Sequence, residues 1–188
     1  MNWFKILKAP IWDMPQVDPN AKIWATDKTE LEHREYQQYI EGHPNGLWYS
    51  FGNQWADFIR RDWPFDVKDY TNKYKMIFEI EVGGNILKIN THEEAVNFTK
   101  KYNPNSYFYI GSPSHSIQSW RSNEKGNYRQ GEINWALVAK DYDGIECTII
   151  KELSFFEMFS TWDIDSGCVW NTNVVKIIRE VYNIESER

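Results

Sequence analysis

The run from Pro44 to Trp63, PNGLWYSFGNQWADFIRRDW, constrains the fold more than any other stretch. A Pro-Asn-Gly turn leads into a short strand rich in aromatics. The pair Gly52-Asn53 ends that strand and opens a helix. On the helix, Trp55, Phe58, Ile59 and Asp62 fall at i, i+3, i+4 and i+7, so three apolar groups face inward and a carboxylate marks the exit. Four aromatics (Trp48, Tyr49, Phe51, Trp55) and the Ser50 hydroxyl thus gather at a strand-to-helix turn. They suit a flat ring, with aromatic faces to stack on it and a hydroxyl and free N–H groups for its polar edge. They equally suit a core, since each aromatic buries about 150–250 Å² and strands favour such residues.

Around this element the chain reads as short strands and helices. Residues 3–7 alternate as a strand, and 22–25 form a second. Residues 29–40 predict a helix with a thin apolar face, capped by Thr26 or Asp27 with Glu30 early in it. Tyr74, Met76, Phe78, Ile80 and Val82 alternate on one face of the clearest strand, 74–82. Gly83-Gly84-Asn85 predicts a hairpin turn, with 86–89 as the return strand. Thr91 and Glu94 spell a capping box, and the helix it opens carries Ala95, Phe98, Thr99 and Tyr102 on one side. His92, in its first turn, reads as exposed and structural. Residues 103–131 are irregular, rich in Ser and Asn, with a strand at 107–110 the one regular element in them; so long a run suits a substrate loop or an insertion. Residues 133–140 predict a short helix with Trp135, Val138, Ala139 and Tyr142 on its period, Asp143-Gly144 a turn, and 145–150 a buried strand. Beyond an apolar patch (Phe155, Phe156, Met158, Phe159, Trp162), residues 162–171 read as a loop and a strand. A final helix would place Val174, Ile177, Ile178, Val181 and Tyr182 on one stripe. No repeat or low-complexity tract appears, and residues 1–188 read as a single domain.

Composition narrows the classes. Aromatics make up 16% of the 188 residues, which argues for a stacking pocket or a large aromatic core and against disorder. A net charge of −6 disfavours a generic phosphate-backbone binder, because no basic surplus drives counterion release. Cys147 and Cys168 stand in no zinc-ligand spacing, and the expectation is two free thiols in a reducing compartment, with no metal. Residues 1–10 carry Lys5 and Lys8 without the apolar run of a signal peptide, and no stretch approaches the ~20 apolar residues of a membrane span. The expectation is a soluble, cytoplasmic protein with no membrane partner.

Glu146 is the sharpest single residue. It lies in YDGIECTII, at the head of an apolar strand, where a carboxylate is costly unless paired or used. Used, it would be a fixed negative charge beside a ribose, stabilising a developing oxocarbenium cation; otherwise it is a solvent-facing or salt-bridged glutamate at a strand edge. A paired-carboxylate glycosidase could draw on Asp143, Asp163 or Asp165, although no spacing supports it. Ser166 or Cys168 could serve as a nucleophile only if one of His33, His43, His92 or His115 met it in space. The acids Asp163 and Asp165 lack the rest of a calcium loop, and neither a Walker loop nor GxGxxG is present.

Gly46-Leu47-Trp48-Tyr49-Ser50, followed by the helix with Trp55, resembles the nicotinamide-pocket motif of the ADP-ribosyltransferase superfamily, in its diphtheria-toxin and poly-ADP-ribose-polymerase branch. The later strand with Glu146 resembles that family's catalytic-glutamate strand, and the order of elements is similar. The resemblance implies an α+β fold, a split and twisted sheet with helices outside, and NAD as co-substrate. It implies that Tyr49 and Trp55 sandwich the nicotinamide, with Trp48 beside them, that Ser50 bonds its amide, and that Gly46 lets the backbone approach. Glu146 would then be catalytic. Family members hold the NAD ribose or phosphate with a His or Arg of the first strand, where this chain offers Lys5 or Lys22, with His43 as the substitute. The implied activity is transfer of ADP-ribose to a macromolecular acceptor, protein or nucleic acid, with 103–131 selecting it. Hydrolysis of NAD, as in a toxin, or a non-catalytic nucleotide- or partner-binding adaptor are the alternatives.

Overall fold

The computed structural model describes residues 14–62, 74–103, 133–153, 159 and 162–183. Their elements are β1 (Lys22–Thr26), β2 (Ile40–Glu41), β3 (Leu47–Phe51), α1 (Gln54–Asp62), β4 (Met76–Val82), β5 (Ile86–Ile89) and α2 (His92–Tyr102). There follow β6 (Ile133–Asn134), α3 (Trp135–Asp141), β7 (Gly144–Cys147), α4 (Ile150–Leu153), β8 (Ser166–Val169), a 3-10 turn (Thr172–Val174) and β9 (Val175–Asn183). The chain is α+β with mixed strand pairing, and it divides into two compact units. One draws on residues up to His33, on Trp48–Gly83 and on those from Asn173; the other on Arg34–Leu47 and Gly84–Thr172.

In the first unit the strands are antiparallel in the order β3-β1-β4-β9. Met76, Ile77 and Phe78 of β4 are all buried, so this half of the strand is covered on both faces. Trp24 stacks on Phe78, its direct partner across β1 and β4, with ring centroids 5.6 Å apart. At the end of β3, Gly52 takes a left-handed φ of +54°, and a side chain there would strike Pro19. Asn53 then secures the preceding loop: its Oδ1 accepts from Val17 N–H at 3.0 Å and its Nδ2 donates to the Pro15 carbonyl at 3.1 Å.

The second unit is built on β7, parallel to β5 and antiparallel to β8, with β2 and β6 paired as a separate ribbon. The predicted capping box opens α2: Glu94 N–H donates to Thr91 Oγ1 while the Glu94 carboxylate accepts from Thr91 N–H. Ala95, Phe98, Thr99 and Tyr102 form its buried side, as the 3.6-residue period predicted. Aromatic contacts run from Tyr102 to Phe98, Trp135 and Trp170, with centroids 5.2, 5.7 and 6.2 Å apart. The two indoles do not waste their N–H groups: Trp135 Nε1 donates to the Glu41 carbonyl and Trp170 Nε1 to that of Tyr142.

Four expectations are corrected. Residues 29–40 are not a helix: β2 begins at Ile40, and the groups that would close helical rings are spent elsewhere. Tyr36 N–H donates to the Trp170 carbonyl, and Arg34 exchanges bonds with Thr172. Gly83-Gly84-Asn85 does not make a hairpin, because β4 is laddered to β1 and β9 and β5 to β7. The strand expected over 145–150 ends at Cys147, and α4 starts at Ile150, whose N–H donates to Asp165. The final helix is strand β9. Its β-branched residues prefer the pleat. Two register shifts against β4 break the two-residue alternation that would have marked it as a strand. On α1, Ala56 joins Phe58 and Ile59 in the buried set, while Trp55 is half-buried. The strand at 3–7 with Lys5, most of residues 103–131 with His115, and Phe155, Phe156 and Met158 lie outside the described residues.

Candidate functional site

The expected site residues divide between the two units. Trp48, Tyr49, Ser50 and Trp55 belong to the first; His43, Gly46 and Glu146 to the second.

On β3 the pleat sends Leu47, Tyr49 and Phe51 to one face and Trp48 and Ser50 to the other. Tyr49 is 3% exposed; Phe51 meets it edge-on at 6.0 Å, and the Lys22 ammonium stands 5.4 Å from its ring centre. Tyr49 and Ser50 therefore lie on opposite faces of β3. Trp55 lies against Phe58, centroids 5.6 Å apart and planes near parallel, with Tyr74 edge-on. Ser50 is 5% exposed, stands opposite Ile23, and its hydroxyl has no hydrogen-bond partner among the described residues. A buried hydroxyl without a partner costs about 1–3 kcal/mol, so it needs an explanation.

In the second unit Gly46 is a packing glycine. A methyl group there would overlap the Val169 carbonyl oxygen and sit 2.9 Å from Cys168 Sγ. Its turn is shaped by the buried Gln38 side chain, which donates to the Tyr36 and Asn45 carbonyls and accepts from Asn45 N–H. His43 is exposed in this turn, beside buried Pro44.

Glu146 is 4% exposed on a strand whose four residues are all buried. In register it stands between exposed Lys88 of β5 and Gly167 of β8. The row thus offers a cation, an acid and a position without a side chain. Burial raises the Cys147 thiol to a pKa of about 12 and Cys168 well above the ordinary range, so neither resembles an activated nucleophile. Ser166 donates its hydroxyl to the Ile164 carbonyl. The described residues contain no group of three or more His, Cys, Asp or Glu placed to hold a metal, and no helix long and apolar enough to cross a membrane.

Sequence reasoning passed over Asp143 except as a spare acid. In the structure its carboxylate accepts from Asn85 N–H and Asn171 Nδ2, each at 2.8 Å. The signal was present in the Tyr-Asp-Gly turn before the acid strand, but its partners are distant in sequence.

Comparison of the chain with protein-family models, curated proteins and solved structures finds no match in any of the three.

Proposed function

We propose that this chain is an NAD-dependent ADP-ribosyltransferase, moving ADP-ribose to a macromolecular acceptor with release of nicotinamide, on the split sheet that the sequence resemblance implies. One observation carries the reading: a carboxylate, Glu146, held 4% exposed in the middle of a strand. Taking a carboxylate out of water costs several kcal/mol, so one held in a buried strand is paired or put to use. The Ser50 hydroxyl, buried and without a hydrogen-bond partner among the described residues, is a second support.

In the proposed reaction the bond between the ribose anomeric carbon and the nicotinamide nitrogen breaks, and nicotinamide leaves with the electron pair. Glu146 steadies the cationic ribosyl group and accepts a hydrogen bond from its hydroxyl. An acceptor nucleophile then forms the new bond to the anomeric carbon and gives up its proton.

The test is incubation with NAD labelled separately in the nicotinamide and in the adenylate. Release of nicotinamide with adenylate label on a macromolecule supports transfer; release into water alone supports the hydrolase. Glu146→Gln should lower release at least ~100-fold while the circular dichroism spectrum stays unchanged. If the wild type neither cleaves nor binds NAD, the reading is removed. Binding without cleavage, unchanged in Glu146→Gln, would leave the adaptor.

A further inference from the structure

Strands β7 and β8 are short, and nothing in their burial pattern sets their register. Every residue of β7 and of β8 is buried, so neither strand has a polar face to hold it in place. A slip of one residue would exchange Glu146 with Ile145 or Cys147 and turn the acid to the opposite face. No hairpin links β5 to β7 either; the pair is parallel and joined through the intervening helices and strands.

Asp143 stands immediately before β7 and ties both neighbouring strands to it. Its carboxylate Oδ2 accepts from Asn85 N–H, one residue before β5, and Oδ1 accepts from Asn171 Nδ2, two residues after β8. Its backbone repeats the bridge: Asp143 N–H donates to the Asn85 carbonyl at 2.9 Å, and its carbonyl accepts from Trp170 N–H at 3.0 Å and Asn171 N–H at 3.2 Å. Asn85 is itself held by its amide, which donates to the Asp141 carbonyl at 2.7 Å. One side chain therefore reaches the end of β5 and the end of β8 at once, at a fixed distance from the acid.

We propose that Asp143 is the positioning residue for Glu146, setting the register that puts the acid in the row between Lys88 and Gly167. Its catalytic consequence rests on the role proposed for Glu146; its structural consequence does not. The carboxylate acts here as a double acceptor, not as a second catalytic acid. That distinction separates two substitutions. Asp143→Ala removes both acceptors. Asp143→Asn keeps an oxygen for Asn85 N–H, and its amide can donate to Asn171 once that side chain turns its own amide over.

The experiment measures NAD cleavage and, independently, backbone nuclear Overhauser contacts between Lys88, Glu146 and Gly167. Asp143→Ala should lose the cross-strand contacts and lower kcat on the order of 10–100-fold, with KM for NAD held within about twofold. Asp143→Asn should keep the contacts and restore most of kcat. Should Asp143→Ala fail to fold, Asn171→Ala, which removes one of the two side-chain bridges, should give a smaller loss of the same kind. Unchanged contacts in Asp143→Ala or, in its place, Asn171→Ala would overturn the proposal. So would an Asp143→Asn enzyme as impaired as Asp143→Ala, which would make the charge itself essential. If the wild type does not cleave NAD, the reading of Glu146 fails, and the contacts still decide the role of Asp143.

Discussion

Ser50→Ala puts stability and binding in opposition. The hydroxyl is 5% exposed and has no partner among the described residues, so in the free protein it lies desolvated without compensation. That costs about 1–3 kcal/mol. Alanine keeps the Cβ and removes only the oxygen, leaving a gap too small to offset the relief. The variant should therefore gain about 1 kcal/mol, raising Tm by about 2–4 °C for a chain of this size. A ligand amide bonded by the hydroxyl would lose about 0.5–1.5 kcal/mol, or about 2–10-fold in Kd. Thermal unfolding with and without NAD measures both: the free variant melts above the wild type, and NAD raises its Tm by less. A variant that melts lower would show the hydroxyl to be satisfied within the protein, and the reasoning from its isolation would be wrong. A variant that melts higher but binds NAD unchanged would remove Ser50 from the site.

Other outcomes follow from geometry already described. Gly46→Ala should destabilise by about 1–3 kcal/mol, because the Val169 carbonyl it would strike belongs to a buried strand; an unchanged Tm with weakened NAD binding would instead make this a ligand-contact glycine. Hydrogen bonds from Asn90 N–H, and from the side chain and N–H of Thr91, hold the Glu94 carboxyl below its ordinary range. A depressed folded pKa gives stability that is present above the unfolded pKa and lost as pH falls through the folded one. Tm should therefore drop on acidification through and below the ordinary glutamate range, and Glu94→Gln should flatten that part of the profile; an equal slope in the variant would count against it. Both thiols are buried, with Cys147 raised to about 12, so neither should react with a thiol reagent at neutral pH until denaturant unfolds the chain. Labelling of native protein at the rate of a free cysteine would contradict this.

Local signals were legible. The capping box of Thr91 and Glu94, the apolar stripe of α2, the Gly52-Asn53 corner and the strand over β4 each depend on residues a few positions apart. Partners of the strands were not legible, because a ladder joins segments far apart in sequence. Nothing near Gly83 and Gly84 says that Ile86 will lie beside Gly144, or that Asn85 will bond Asp143. The bulged β9 reads as a helix for the related reason that its alternation is broken to follow β4. As for the candidate site, residue chemistry singled out Glu146 and Ser50 as an acid and a hydroxyl in apolar company. Their burial and the double bridge of Asp143 emerged only on folding. Side-chain identity and short spacing are written along the chain, whereas burial and register belong to the neighbours that tertiary contacts bring together.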